Sequence, residues 1–67
     1  MFTREDNYLR LAASNNTRFL IGDTGDEQHL SIYVQHGSFH IYMTRAEAAA
    51  LAEMIATSVK EATHEQV

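Results

Sequence analysis

The chain has 67 residues, no cysteine, no proline and a formal net charge of −4. A chain this short forms one domain, residues 1–67, and buries only about 60% of the surface that its unfolded form exposes. Because no disulfide can staple so small a core, we expect a second copy of the chain to supply the missing stability. The composition therefore predicts a homodimer.

The charge pattern argues against nucleic acid and membrane partners. The five basic residues are scattered along the chain, whereas a protein that follows a phosphate backbone needs a basic patch. The charged segment 1–10 lacks the apolar core of a signal peptide, and no apolar run approaches the roughly 18 residues of a membrane span. We expect a cytoplasmic protein that binds neither nucleic acid nor membrane.

The N-terminal segment fits two structures. The run TRED resembles a weak capping box and predicts a short helix over residues 4–14. Alternatively residues 8–12 form a strand, because Leu9 and Leu11 share a face only in an extended chain. The run SNNT would then turn that strand into the next one. We take the helix as the prediction and keep the strand as its alternative.

Three strands are predicted next, over residues 18–22, 29–35 and 38–43, in an antiparallel meander. The acidic loop GDTGDEQ joins the first two, and His36-Gly37 suits a two-residue turn between the others. Alternation then places the apolar side chains of the second and third strands on one face: Leu30, Ile32, Val34, Phe39, Ile41 and Met43.

A long C-terminal helix is predicted over residues 45–62, because Thr44 and Glu47 form a Thr-x-x-Glu capping box. Its apolar stripe should cover the apolar sheet face, which gives an α+β fold with a frayed tail at 63–67. The stripe consists of Ala48, Leu51, Ala52, Ile55, Val59 and Ala62.

The opposite side of this helix carries small residues where long charged ones are usual. Alanine favours any helix, which explains part of the pattern without a partner. Small side chains also let a second helix approach closely, and on that interpretation they form the dimer interface. The residues concerned are Ala46, Ala49, Ala50, Glu53 and Thr57.

The outer sheet face is the candidate partner-binding surface. Tyrosine is enriched where a surface is later buried against a protein, since it supplies area and a hydroxyl at low entropy cost. The alternative is that the N-terminal helix covers this face. The predicted site comprises Tyr33, His40, Tyr42, His29 and Gln35.

The histidines are not predicted to form a metal or catalytic site. In the predicted register His29 lies about 13 Å along the strand from His40, whereas zinc–nitrogen bonds measure about 2 Å. No serine, cysteine or acid is placed by the sequence to activate a histidine. We therefore predict no catalytic residue, no metal ligand and no cofactor.

The tripeptide Asp23-Thr24-Gly25 resembles the catalytic loop of aspartic proteases, in which two aspartates share a proton. The match covers about six residues, and retroviral-type protomers are longer and all-β. With Asp26 and Glu27 the same loop offers oxygen ligands for Ca²⁺ or Mg²⁺, although the EF-hand spacing is missing. Turn chemistry accounts for the loop more simply.

Two functional hypotheses remain. The preferred one is a non-enzymatic homodimeric module that regulates, adapts or inhibits a protein partner, a role compatible with the layout of small bacteriophage or mobile-element proteins. The alternative is a small-ligand or metal-binding protein, or an enzyme, that uses Asp23 and Asp26 with histidines across a dimer interface.

Overall fold

The computed structural model describes residues 1–65 as a five-stranded antiparallel sheet followed by one helix. Each strand pairs with its neighbours in sequence, so that the sheet order is the chain order. The elements are β1 (Phe2–Arg4), β2 (Tyr8–Ala12), β3 (Arg18–Asp23), β4 (Gln28–Val34), β5 (Gly37–Met43) and α1 (Arg45–Glu65).

The predicted N-terminal helix is wrong, and the strand alternative is right. Residues 2–12 form β1 and β2, which extend the predicted three-stranded meander to five strands. The two residues between Ser14 and Thr17, Asn15 and Asn16, have φ values of 60° and 59°, as a type I′ hairpin turn requires. The Thr17 backbone N–H closes the turn by donating to the Ser14 carbonyl at 3.2 Å. Turn chemistry and the Leu9/Leu11 alternation therefore outweighed the weak capping box.

The β4–β5 hairpin forms, but its turn lies one residue earlier than predicted. Val34 pairs with Gly37, so Gln35 and His36 make the turn. Gly37 is not needed for a left-handed turn position, because positive φ in the described chain occurs only at Asn15, Asn16 and Gly25. Each cross-strand pair shifts by two residues, which preserves the division of side chains between the two faces.

One face of the sheet is apolar across all five strands. Register pairs such as Leu11 with Phe19 and Leu30 with Ile41 place these side chains together. We call this surface the apolar face: Phe2, Leu9, Leu11, Phe19, Ile21, Leu30, Ile32, Val34, Phe39, Ile41 and Met43.

Helix α1 does not lie on the apolar face, so that part of the prediction is also wrong. The extensive contacts between elements of the described chain all join two strands. Ile55 and Val59 of the predicted stripe remain 55% and 61% exposed. No hydrophobic side chain of the described part of the chain is fully buried. At its start the helix is attached to the loop that follows β3, where Arg45 donates to Asp23 and to the Gly25 carbonyl.

The helix begins where the capping box predicts. Glu47 N–H donates to the Thr44 hydroxyl at 3.0 Å, and Thr44 N–H donates to the Glu47 carboxylate at 2.8 Å. The helix continues through 63–65, which were predicted to fray, and residues 66 and 67 of that tail lie outside the described residues. Within the described chain, α1 lacks the length of apolar sequence needed to cross a membrane.

Candidate functional site

The face opposite the apolar face carries the predicted partner-binding residues. His29 and Tyr33 project from β4, and His40 and Tyr42 project to the same side from β5. We call these four residues the His/Tyr cluster. Gln35, the fifth predicted residue, lies in the β4–β5 turn and is exposed, so it borders the cluster without belonging to its sheet face.

Ring contacts organise the His/Tyr cluster. His29 stacks on Tyr42 with centroids 4.4 Å apart and ring planes 8° apart. His40 meets Tyr33 edge-on at 5.8 Å. Both geometries are favourable for aromatic pairs, which gives the cluster a defined shape before any ligand binds.

The two histidines are neighbours, so the predicted separation of about 13 Å is wrong. His29 Nε2 lies 3.2 Å from His40 Nδ1. The predicted register paired Tyr33 with His40, whereas the structure pairs Ser31 with His40 and Tyr33 with Ser38. The shift places His40 two residues closer to His29 along the ladder, so that the two side chains lie diagonally opposite each other.

Ser31 is a site residue that the sequence analysis missed. Its hydroxyl oxygen lies 3.1 Å from His40 Nδ1 and 3.3 Å from His29 Nε2. At 5% exposed it is the one buried residue among those described. Its hydroxyl contacts both imidazoles, a role that follows from the sequence only once the register is known.

Ser31 next to a histidine has the composition of a nucleophile–base pair, but its surroundings do not suit acyl transfer. A nucleophile must reach its substrate, and the Ser31 side chain is covered. The Ser31 hydroxyl contacts one ring nitrogen of His29 and one of His40. Neither contact includes a carboxylate that would orient the imidazole as a catalytic base. The arrangement holds the rings in place.

A cation extends the cluster toward β3. The guanidinium carbon of Arg18 lies 5.4 Å from the centroid of the Tyr33 ring, within cation–π range. Ser38 contributes a further contact, with its hydroxyl oxygen 3.3 Å from His40 Nε2. The face thus combines aromatic area, a positive charge and exposed hydrogen-bonding groups. Tyr42 is its most exposed large ring, at 59%.

The acidic loop between β3 and β4 forms hydrogen bonds with other residues of the same chain. Arg45 donates from Nε to Asp23 Oδ2 at 2.7 Å and from Nη2 to Asp23 Oδ1 at 2.9 Å. Gln28 and the Gly25 backbone N–H also donate to this carboxylate, at 2.8 Å and 2.7 Å. The Arg45 guanidinium, aided by the Gly25 amide, holds the pKa of Asp23 far below its ordinary value.

This arrangement separates Asp23 from the catalytic loop it resembles. In the catalytic pair two carboxyl groups face each other and share a proton, whereas both Asp23 oxygens are bound by the Arg45 guanidinium. Its oxygens are already accepting four hydrogen bonds, and Asp26 is an exposed residue of the same loop. The loop therefore acts as an attachment point for α1.

The predicted dimer-interface residues lie together on one exposed side of α1. Their side chains face away from the stripe of Leu51 and Ile55, as helical spacing requires. The set is Ala46, Ala49, Ala50, Glu53 and Thr57, and all five are exposed in the single chain.

Comparison with family models, with curated proteins and with solved structures finds no match to this chain.

Proposed function

We propose that the chain is a small, non-enzymatic homodimeric module that regulates, adapts or inhibits a protein partner in the cytoplasm. The observation that carries this proposal is the His/Tyr cluster, an ordered aromatic surface on the sheet face opposite the apolar face. Interfaces are enriched in tyrosine and arginine, and both types occur here at Tyr33, Tyr42 and Arg18.

The chemistry of the same surface supports binding in preference to catalysis. Ser31 is buried, and the ionised Asp23 carboxylate is paired with Arg45. Neither nucleic acid nor membrane is proposed as the partner, because the basic residues are few and the net charge is −4. The expected partner is a protein surface that accepts two tyrosine rings.

Affinity capture from the source cell tests this function. The double variant Tyr33→Ala/Tyr42→Ala removes the rings but leaves Ser31 and the apolar face unchanged. Tyr8→Ala is the matched control, because Tyr8 lies on the same sheet face but in β2. Circular dichroism and native mass confirm that each variant folds and keeps its oligomeric state.

The expected result is a partner that the wild type and Tyr8→Ala enrich and that the double variant loses. Loss of two interface tyrosines costs about 2 kcal/mol or more each where they are central to an interface, enough to abolish capture at micromolar affinity. A partner that the folded double variant captures as well as the wild type contradicts the proposal.

The His29–His40 pair supports a second candidate function, binding of a transition-metal ion. Two nitrogens on one tetrahedral zinc ion lie about 3.3 Å apart, since each bond is about 2.0 Å. The distance between His29 Nε2 and His40 Nδ1 is 3.2 Å. No group of three or more His, Cys, Asp or Glu residues is placed to hold a metal in the described chain. Solvent would complete the coordination.

A melting scan with Zn²⁺, Ni²⁺, Ca²⁺, Mg²⁺ and EDTA tests the metal candidate. Zn²⁺ or Ni²⁺ is expected to raise Tm in the wild type and in His36→Ala, the control in the β4–β5 turn, but not in His29→Ala or His40→Ala. A shift with Ca²⁺ alone would point instead to Asp26 and its loop. No shift with any ion eliminates this candidate.

A further inference from the structure

The apolar face is largely open to solvent in the described part of the chain. Phe2 and Phe39 are 62% and 61% exposed, and Ile41 is 45% exposed. Between them Leu9, Phe19 and Ile21 help line an almost wholly apolar depression. Monomeric proteins rarely expose a continuous apolar patch of more than a few hundred Å².

The apolar stripe of α1 is exposed in the same chain. Ile55 and Val59 lie one turn apart on one side of the helix, at 55% and 61% exposure, while Ala48 and Leu51 near the helix start are half-buried. Alanines flank the stripe, so a flat apolar surface can approach the helix closely. The chain thus exposes two apolar surfaces of complementary kinds, one sheet face and one helix stripe.

The connection between sheet and helix keeps these two surfaces apart within one chain. A single residue, Thr44, separates β5 from α1, and both its backbone N–H and its hydroxyl take part in the capping box. The next residue, Arg45, donates to Asp23 and to the Gly25 carbonyl. With this connection α1 does not pack on its own sheet, because the extensive contacts between elements of the described chain all join two strands.

The exposed area is larger than a lone folded chain of this size normally has. The accessible surface is 5633 Å², against about 4,300 Å² expected for a folded monomer of this mass. The radius of gyration is 13.6 Å, against about 11 Å for a compact chain of this length. The excess, about 1,300 Å² per chain, is in the range that obligate dimers bury.

The dimensions of the helix match those of the sheet. Twenty-one residues of helix extend about 31 Å. Five adjacent strands span about 20–24 Å. One helix is therefore long enough to cross every strand of a sheet that belongs to another copy.

We propose that two copies assemble by helix exchange, with α1 of each chain lying across the apolar face of the other. A twofold axis makes the two contacts equivalent and closes the assembly, so that no apolar face remains open. In this dimer Ile55 and Val59 of one chain pack against Phe19 and Phe39 of its partner copy. The His/Tyr clusters remain exposed on the two outer surfaces.

This inference rests on the homodimer of the proposed function and specifies its geometry. It differs from a dimer in which Ala46, Ala49, Ala50, Glu53 and Thr57 of two helices meet. Ile55→Arg and Thr57→Arg place the same side chain on opposite sides of α1 and separate the two arrangements. Sedimentation equilibrium measures the dissociation constant of each variant.

Helix exchange predicts that Ile55→Arg weakens the dimer at least about thirtyfold, because an interface anchor is replaced by a charge. Thr57→Arg should leave the dissociation constant within about threefold of the wild-type value. The opposite pattern overturns helix exchange while retaining the proposed homodimer. A wild type that is monomeric at micromolar concentration overturns both.

An isotope-mixing experiment on the wild type keeps the test decisive if Ile55→Arg does not fold. Equal amounts of ¹³C-labelled and unlabelled chain are refolded together, and filtered NOEs are recorded between the methyls of Ile55 and Val59 and the rings of Phe19 and Phe39. Helix exchange predicts these NOEs between labelled and unlabelled chains. NOEs confined within one chain, or none between the helix and any sheet, overturn it.

Discussion

Asp23 and Arg45 join the start of the helix to the sheet. The bidentate pair joins the end of β3 to the first residue of α1, and Arg45 also donates to the Gly25 carbonyl at 2.7 Å. Arginine suits this position because its planar fork binds both carboxylate oxygens, which lysine cannot do. A pair this exposed adds little to global stability, so its main effect is geometric.

The first prediction concerns the titration of Asp23. Its lowered pKa means that the ionised form is favoured in the folded state. The stabilisation is therefore fully present above about pH 4, the ordinary aspartate range, and is lost as the pH falls toward the lowered pKa. Carboxyl ¹³C NMR should show Asp23 ionised well below pH 4, and Arg45→Gln should return its pKa toward the ordinary value.

Asp26→Asn is the control for this titration, because it alters the same loop but not the Asp23–Arg45 contact. It should leave the Asp23 titration unchanged. An ordinary Asp23 pKa in the wild type would show that Arg45 does not hold the carboxylate in solution.

The second prediction concerns Gly22, where β2 and β3 approach closely. A Cβ at this position would lie 2.9 Å from the Asn7 carbonyl oxygen and 3.3 Å from Tyr8 Cβ. Because the nearest atom is backbone, Gly22→Ala should lower the free energy of unfolding by about 1–3 kcal/mol. Urea denaturation at a fixed chain concentration measures the change.

Gly37→Ala provides the matched comparison, since a Cβ there meets nothing within 4 Å. It should be neutral or stabilise the protein by up to about 1 kcal/mol, through the entropy of the unfolded chain. Equal losses in the two variants would mean that the close approach at Gly22 is absent.

At the scale of elements, the turn at Asn15-Asn16 decides that the N-terminal segment is extended. Two consecutive residues with φ near +60° fit a type I′ turn, whose twist matches that of the flanking strands. Asparagine tolerates this conformation better than other non-glycine residues. The turn alone would place Leu11 opposite Leu20. Ala13 and Ser14 both bond to Thr17, and this extra residue on the β2 side, a β-bulge, brings Leu11 opposite Phe19.

The third prediction tests this turn. Asn16→Ala should destabilise the protein by about 1–2 kcal/mol, the cost of a left-handed backbone for alanine. Asn16→Gly should be neutral or slightly stabilising, because glycine adopts positive φ freely. Thermal or urea unfolding separates the two. Equal stability of the two variants would exclude a left-handed residue at this position.

Sequence reasoning located elements better than it arranged them. The capping box marked the start of α1 correctly, and period-two alternation assigned the residues of β4 and β5 to the right faces. The turn position was missed because glycine at residue 37 suggested a left-handed turn that the chain does not use. Moving the turn by one residue makes His29 and His40 neighbours. The candidate site therefore depends on the position of the turn, which alternation alone does not specify.

At the scale of the whole molecule, the outward helix was not predictable from local patterns. The sequence pattern shows an apolar helix stripe and an apolar sheet face that can cover each other. This pattern is the same whether the two surfaces meet within one chain or between two chains. At the helix start the structure adds the contact of Arg45 with Asp23, 22 residues apart. No periodicity marks such a long-range pair.

The fourth prediction follows from the lack of a hydrophobic core in the described chain. If dimer formation completes the core, folding and association are linked, and Tm must rise with chain concentration. Differential scanning calorimetry over a hundredfold concentration range should show a rise of several degrees. A concentration-independent Tm, with a monomeric mass in solution, would contradict the linkage.

The meander has a further consequence for the order of events in folding. Every strand pairs with its neighbour in sequence, so the sheet can assemble from successive hairpins, each of which forms in about 1–10 μs. These hairpins bury little by themselves, and in the proposed dimer the second copy arrives only by diffusion. Refolding should therefore follow second-order kinetics at low concentration, with the encounter of two partly formed sheets as its slow step.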